Sequence, residues 1–452
     1  DAMPTPKPPV AAMKPFEVKS PNGTRVDEYY WLRDDTRKNP EMLAYLTAEN
    51  AYKDAMLAPV RPLEEKVYGE IIARIKQDDA SVPYRDRGYW YYWRYETGKE
   101  YPVHARKAGS LDAPEQVLVD ENELAQGHDF FDLGELEVSP DNRILAYAED
   151  TVGRRQFTLR FKDLATGKLL PDVITNVEAN VAWAADSRTV LYVEKDPQTL
   201  LGNKVRKHVL GTDPKDDPVV YEEHDESFFM GVDTSKDGRY VYIGLQSTVS
   251  TEQHYARADD PKLEFSVILP RERDHEYQAD HFDGRWIIRT NWQAPNFRLM
   301  EATVGDSLDR AKWRELVGHR TDAFIDDFSV FRGFLAIEER SGGLRKVRIR
   351  PWEGGKDFYI ASDEPAYVTG LGDNEEVDSD KVRYVYTSLT TPATTYDYDV
   401  KTGERVLLKQ QPVLGGFDAK NYVTEYVWAP ARDGQKVPVA LVYRKGFRKD
   451  GT

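Results

Sequence analysis

The chain has 452 residues and a formal net charge of −16, with 62 lysines and arginines against 78 aspartates and glutamates. Its content of 40% hydrophobic and 31% charged residues allows a sizeable core and excludes collagen-like and wholly disordered chains. The lack of cysteine excludes disulfides, a thiol nucleophile and cysteine-ligated metals, and the acidic balance disfavours nucleic acid and favours neutral or cationic partners.

Two helices are the first elements predicted along the chain. They follow a proline-rich start, residues 1–12, which lacks the basic and apolar regions of a signal peptide and indicates a polyproline-like arm. Residues 38–58 place apolar side chains near one face. Residues 62–75 repeat apolar side chains at a spacing of four, after a proline that the first turn of a helix tolerates. The pattern predicts an amphipathic helical hairpin that packs on another domain.

An internal repeat fills the middle of the chain. Each copy is a short strand, a turn of Asp, Asn or Gly, and a second strand rich in aromatic and β-branched residues. The clearest copies are residues 139–147, 184–192, 235–243 and 281–288, and weaker ones are residues 85–92, 331–337 and 379–386. Four strands in a period of about 45 residues are typical of a propeller blade. Seven units fit between residues 79 and 409, so the sequence predicts an all-β fold, a seven-bladed β-propeller.

A β-hairpin is the last predicted element. Residues 422–429 and 436–443 are strand-like, and Arg432, Asp433 and Gly434 form a turn signal between them. A single hairpin is only marginally stable alone in water. We therefore expect it either to dock within the chain or to belong to a domain that continues beyond this sequence.

Blade connectivity places both ends of the repeat region on one face. In a blade with strands a to d, the b–c loops and the connections from d to the next a open on the same face, here called the linker face. The arm and the hairpin both join there, so any partner domain is expected on this face. Several of its connections are acidic, at residues 120–123, 149–150, 222–226 and 274–276. They indicate either solvated loops or a negative entrance that concentrates cationic substrates.

The usual catalytic signatures are missing from the sequence. It contains no Gly-x-Ser-x-Gly elbow, no phosphate-binding loop and no His-Glu-x-x-His zinc motif, and its eight histidines are scattered. We therefore predict no catalytic residue, metal ligand or cofactor within this chain. The candidate substrate-binding residues are Glu149 and Asp150, on the loop after strand b of the second blade, which are predicted to face a cavity between domains.

Several segments together resemble the prolyl oligopeptidase family of serine peptidases, and within it the branch that cleaves after basic residues. They occur in the family's order over most of the chain, at residues 29–35, 98–103, 118–125, 136–141, 147–164 and 433–439. The resemblance implies a propeller that caps an α/β-hydrolase domain. It divides the chain into a helical arm of that domain (residues 1–76), the propeller (77–410) and the first strands of an incomplete hydrolase domain (411–452), with hinges at 74–84 and 409–417.

The resemblance also implies hydrolysis of short peptides after Arg or Lys by a Ser, His and Asp triad that falls on no position of this sequence. The chain alone is expected to be inactive. The implied partners are short cationic peptides and the remainder of the catalytic domain, without nucleic acid or membrane, and the implied location is cytoplasmic, with the periplasm as the alternative. Two other functions stay open: a non-catalytic propeller that binds a protein partner, and a proline-specific peptidase of the same family.

Overall fold

A computed structural model describes residues 5–452, so the first four residues of the proline-rich start lie outside the described residues. The chain separates into two units. The first comprises the residues up to Lys76 together with Val413–Gly416, and the second comprises Gln77–Pro412 and Phe417–Thr452. No helix in residues 5–452 has the length and hydropathy needed to cross a membrane.

The first unit contains one hairpin and the two predicted helices. The hairpin pairs β1 (Phe16–Ser20) with β2 (Gly23–Asp27), and the helices are α1 (Pro40–Leu57) and α2 (Arg61–Ala73). The Asn39 side chain caps α1 by accepting the N–H groups of Glu41 and Met42, which satisfies donors that the first turn leaves free. Apolar side chains of α2 at positions 63, 67 and 71 are exposed, as is Ile75 just beyond the helix, so the apolar face of the helix is open to a packing partner.

The second unit consists mainly of seven antiparallel sets of four strands. Blade 1 contains β3 (Tyr84–Asp86), β4 (Tyr89–Arg94), β5 (Val103–Ala108) and β6 (Glu115–Asp120), followed by the short helix α3 (Glu121–Leu124). Blade 2 contains β7 (Asp132–Val138), β8 (Ile144–Asp150), β9 (Phe157–Asp163) and the first part of β10 (Leu169–Trp183). Blade 3 contains the second part of β10, β11 (Thr189–Lys195), β12 (Gly202–Val209) and β13 (Val219–Glu222).

The remaining blades follow the same order of strands. Blade 4 contains β14 (Phe229–Thr234), β15 (Tyr240–Gln246), β16 (Thr251–Arg257) and β17 (Ser266–Val267). Blade 5 contains β18 (Tyr277–Phe282), β19 (Arg285–Thr290), β20 (Arg298–Thr303) and β21 (Arg314–Val317). Blade 6 contains β22 (Ala323–Val330), β23 (Phe334–Ser341), β24 (Leu344–Pro351) and β25 (Phe358–Tyr359). Blade 7 contains β26 (Val368–Leu371), β27 (Lys381–Thr387), β28 (Thr394–Asp399) and β29 (Arg405–Gln410), and the terminal hairpin pairs β30 (Tyr422–Pro430) with β31 (Lys436–Arg444). The seven-bladed propeller predicted from the repeat is confirmed.

The repeated aspartates cap the turns between the first two strands of their blades. Asp141 accepts hydrogen bonds from the Ser139 hydroxyl (2.6 Å) and the Arg143 N–H (3.0 Å). Asp237 accepts the equivalent bonds from the Ser235 hydroxyl (2.6 Å) and the Arg239 N–H (3.1 Å). Each turn also contains a residue with positive φ, at Asn142 in blade 2 and at Gly238 in blade 4. The repeat thus encodes a turn that few other residue types would form.

Apolar clusters join neighbouring blades at six of the seven interfaces among the described residues. The contact between blades 7 and 1 is polar instead. The Arg383 guanidinium donates to the Pro83 carbonyl (2.7 Å), and the Lys409 ammonium lies 2.7 Å from an Asp79 carboxylate oxygen. These bonds close the ring and hold the incoming and outgoing segments of the propeller side by side.

A buried ion cluster ties blade 2 to blade 3. His208 is fully buried, and its Nδ1 and Nε2 lie 2.8 Å and 2.7 Å from carboxylate oxygens of Asp217 and Asp172. The imidazole therefore lies between a carboxyl group of blade 2 and a carboxyl group of blade 3. His281 connects blades 4 and 5: its Nδ1 faces Asp237, and its Nε2 accepts the Gly284 N–H (3.2 Å).

Gly134 provides a test of packing between blades 2 and 3. It lies in β7 where the register with β8 shifts, and a Cβ there would stand 2.6 Å from a ring carbon of Phe157 and would overlap with Ala179. We expect Gly134→Ala to lower the free energy of unfolding by about 1–3 kcal/mol, because a filled site has no room for a methyl group. Chemical denaturation measures the change.

The matched control is Gly244→Ala in β15, where a Cβ meets nothing within 4 Å. Both glycines lie in strands and have no left-handed backbone. Equal stability of the two variants would contradict the packing explanation.

Candidate functional site

The structure places the predicted site residues Glu149 and Asp150 at the end of β8, at the start of a b–c loop, but both carboxylates have internal partners. Glu149 accepts a hydrogen bond from Arg160 Nε (2.7 Å). Asp150 is buried and accepts backbone N–H bonds from residues 152, 153 and 155, at 2.9, 3.0 and 2.9 Å. The geometry therefore gives both side chains a structural task in shaping their loop, and their role in substrate binding stays a prediction.

Other acidic connections of the linker face are also engaged locally. Glu121 lies 2.6 Å from His104 Nε2, and Asp120 caps α3 by accepting the Asn122 N–H. Glu223, in the connection between blades 3 and 4, pairs with Arg271. The runs of acidic residues that the sequence shows at these positions thus carry less free charge than their composition indicates.

A second set of carboxylates lines the inside of the ring. The first strand of each blade, or the turn that follows it, contributes them from six blades: Asp86, Glu135, Glu137, Asp233, Asp280, Asp327, Asp373 and Glu375. Side chains two apart on a strand share a face, so Glu135 and Glu137 of β7 point the same way. In the sequence, the spacing of Glu135 and Glu137 was the one sign of an acidic face. The sequence does not show which blades meet in space, so it could not predict the ring of carboxylates.

Two cavities open among these carboxylates. The larger, about 730 Å³, is lined by Asp233, Asp280 and Asp327 together with Tyr242 and Tyr277. The smaller, about 220 Å³, is lined by Asp86, Glu137, Asp373 and Glu375 together with Tyr84 and others. Both combine aromatic and acidic walls, which suits a cationic or amphipathic peptide segment.

Burial raises the pKa values of two carboxyl groups of the ring. It raises the pKa of Glu137 to about 9, and the neighbouring carboxylates of Glu135, Asp233 and Glu375 add to the rise. Burial also raises the pKa of Asp280 to about 6, although a hydrogen bond from the Tyr242 hydroxyl (2.9 Å) opposes it. Burial and the neighbouring carboxylates thus both favour the protonated form of the Glu137 side chain.

One lysine crosses this acidic space. Lys236 follows β14 of blade 4, and its ammonium donates to the Ser329 hydroxyl of blade 6 (2.9 Å) and lies 3.4 Å from the centre of the Phe331 ring. Blades 4 and 6 are not neighbours, so the side chain passes in front of blade 5 at the end of the channel opposite the linker face. Burial lowers its pKa to about 7, while Asp280 and Glu375 oppose the shift.

The arrangement can attract cations but does not contain the parts of a hydrolytic centre. The Asp172–His208–Asp217 cluster has an imidazole between two carboxylates, yet it is buried and its only hydroxyl partner is Tyr192, which donates to Asp217 (2.7 Å). Among residues 5–452, no group of three or more His, Asp or Glu side chains is arranged to hold a metal ion.

Glu137 makes the stability of the ring depend on pH. The folded chain retains a proton on Glu137 between its ordinary pKa of 4.5 and about 9, so stability declines as pH rises through that window. Glutamine needs no proton, so the advantage of Glu137→Gln over the wild type should grow from pH 5 to pH 9, by up to about 1.4 kcal/mol for each pH unit. Melting temperatures across that range measure it.

The control for this test is Glu404→Gln, on the exposed turn between β28 and β29. Its difference from the wild type should stay constant with pH. A constant difference for Glu137→Gln as well would show that Glu137 is ionised in the folded chain.

Comparison with known proteins places this architecture in a family. The model of the prolyl oligopeptidase N-terminal β-propeller domain matches residues 8–411. Dipeptidyl aminopeptidase BI of Pseudoxanthomonas mexicana is 54% identical, and Protease 2 of Moraxella lacunata is 30% identical, each over 98% of the chain. The chain spans less than two thirds of the length of these relatives, 63% and 64% respectively.

Solved structures show the same likeness. Oligopeptidase B from Leishmania major superposes with a TM-score of 0.91 at 29% identity, over 98% of this chain and 66% of that one. Oligopeptidase B from Trypanosoma brucei, in a closed form with covalently bound antipain, gives 0.89 at 29% identity, with the same coverage. The family comprises serine peptidases. This chain belongs to the prolyl oligopeptidase family, and residues 8–411 match its N-terminal β-propeller domain.

Proposed function

We propose that this chain is the propeller part of a serine peptidase that hydrolyses short peptides after arginine or lysine. The observation that carries the proposal is the ring of carboxylates inside the propeller, which six blades contribute and which Lys236 crosses. Family membership supports the peptidase class, and the acidic ring supports cationic substrates, since opposite charge raises the local concentration of the substrate.

The proposal assigns cleavage and substrate attraction to different parts of the full-length protein. The cleavage itself would need a serine, a histidine and an aspartate outside residues 1–452, with the serine attacking the carbonyl while the histidine takes and returns its proton. The propeller would act before that step, because the negative charge of its carboxylates would attract cationic peptides. The preferred substrates would then be short peptides that carry a positive charge.

A second candidate is removal of dipeptides from a free amino terminus. It is favoured by the 54% identical relative, which is named a dipeptidyl aminopeptidase. An α-ammonium group is a cation too, so the acidic ring would attract such substrates equally well. The two candidates differ in whether a blocked amino terminus is tolerated.

Substrate preference separates these candidates. We expect the full-length protein to cleave a short peptide with a blocked amino terminus after an internal arginine, and to leave the matched glutamine peptide intact, because only arginine offers a buried charge-assisted hydrogen bond. Mass spectrometry of the products gives the bond that is cut.

Other outcomes would redirect the assignment. Cleavage two residues from a free amino terminus only would establish the exopeptidase, and cleavage after proline would overturn the basic-residue preference. Binding of peptides without turnover would favour a non-catalytic propeller.

The contribution of the ring is tested by salt and by one substitution. Asp373 lines the smaller cavity and is exposed there. Asp373→Asn should lower kcat/KM for an arginine peptide by about two- to fivefold at low ionic strength, with the difference shrinking at high ionic strength as charges are screened. Steady-state kinetics with the full-length protein measure both.

The matched control is again Glu404→Gln, which removes one negative charge outside the channel. It should leave kcat/KM within the error of the wild type at both salt concentrations. An equal effect of the two substitutions would mean that net charge, rather than the ring, attracts the substrate.

A further inference from the structure

The terminal hairpin touches blade 6 at one turn. The Tyr426 hydroxyl of β30 donates a hydrogen bond to the Gly342 carbonyl, in the turn between β23 and β24. A Cβ at Gly343 would overlap with that hydroxyl and stand 2.9 Å from the ring of Pro438 in β31. Both strands of the hairpin therefore approach the backbone of the turn at a distance that only glycine permits.

The backbone conformation of this turn accounts for part of its requirement for glycine, and the contact with the hairpin accounts for the rest. Gly342 and Gly343 have φ values of +57° and +76°, and Ser341 pairs with Leu344 across them, as in the two-residue turns that favour glycine. In the two-residue turn between the first two strands of blade 5, Asp283 occupies the first position at a φ of +51°, and the second position is again a glycine, Gly284 at +74°. Such turns therefore admit a side chain at the first position, and at Gly343 the approach of the hairpin adds a steric constraint to the conformational one.

The turn is held rigidly from below. Asp326 of β22 pairs with Arg340 (3.0 Å) and Arg345 (3.7 Å), one on each side of the turn. The Thr369 hydroxyl of blade 7 donates to the Arg345 carbonyl (3.0 Å). The hairpin therefore meets a surface that is fixed to two blades rather than a loose loop.

The hairpin itself is attached more loosely to the rest of its chain. It follows a connection that contains Gly415 and Gly416, both with positive φ, and lies beyond the residues that match the propeller model. Its side chains Val427, Trp428, Val437 and Val442 are exposed. These exposed apolar side chains fit an element that also packs against another body, beside its contact with blade 6.

We propose that the contact of Tyr426 and Pro438 with Gly342 and Gly343 is a latch between blade 6 and the hydrolase side of the full-length protein. It rests on the proposed function in one respect, that the hairpin belongs to the catalytic domain. The turn is a b–c turn, so the latch lies on the linker face together with both covalent connections. Separation of the two bodies breaks one hydrogen bond and one glycine contact there, which biases the closed form without locking it.

The test follows the distance between the two bodies in the full-length protein. The residues of this chain include no cysteine, so Lys356→Cys in an exposed loop of blade 6 and Arg432→Cys at the tip of the hairpin introduce unique thiols within it. Spin labels on these thiols report a distribution of distances. We expect Tyr426→Phe, which removes the hydrogen bond, and Gly343→Ala, which fills the contact, each to increase the long-distance population several-fold.

Gly284→Ala is the matched control. Gly284 has a φ of +74°, almost the value of Gly343, but a Cβ there meets nothing within 4 Å. It imposes the same backbone strain in a turn of blade 5 and should leave the distribution unchanged. A Gly343→Ala distribution equal to that of Gly284→Ala, together with an unchanged Tyr426→Phe distribution, would overturn the latch.

The distance measurement needs no substrate and no turnover. A shift in the distribution would therefore support the latch even if cleavage after basic residues were disproved, and an unchanged distribution would refute it even if that specificity were established.

Discussion

Every blade of this propeller must bury both of its faces, one against the blade before it and one against the blade after it. This constraint explains the runs of aromatic and β-branched residues in the second strand of each repeat, whose alternate side chains enter different clusters. Leu191 and Val193 of β11 join the cluster shared with blade 4, whereas Val190 and Tyr192 join the one shared with blade 2. The seam between blades 7 and 1 is the exception, because Arg383 of β27 makes a polar contact there.

The same geometry concentrates charge at the centre. Because the first strands of all blades converge on the axis, acids that are far apart in the chain become neighbours, and each raises the cost of ionising the next. The outcome differs away from the axis, where Glu149, Glu223 and Glu339 each have an arginine partner. Local pairs partly neutralise the outer strands, while the carboxylates around the axis face few basic groups, among them Lys236 and Arg87.

The sequence was most informative where structure is local. The turn capped by Asp141 and Asp237 is encoded within five residues, so the repeat and the number of blades could be read directly. It was least informative where the contact spans blades or where a side chain has an unexpected partner. Asp150 looks free in the sequence, yet three backbone N–H groups surround it. The left-handed bend at Asn176, which lets one strand serve blades 2 and 3, also has no signal that separates it from an ordinary loop.

The polar seam between blades 7 and 1 has a consequence for how the propeller is joined to the rest of the protein. Lys409 and Asp79 bring the two ends of a segment of more than three hundred residues within hydrogen-bond distance. In the proposed arrangement, the catalytic domain would contain the whole propeller as an insertion, and the two ends of that insertion would be as close together as the ends of a tight turn. Folding of the propeller would then already include the entropic cost of bringing its two ends together. The two segments of the catalytic domain could therefore fold together almost as if they were contiguous in sequence.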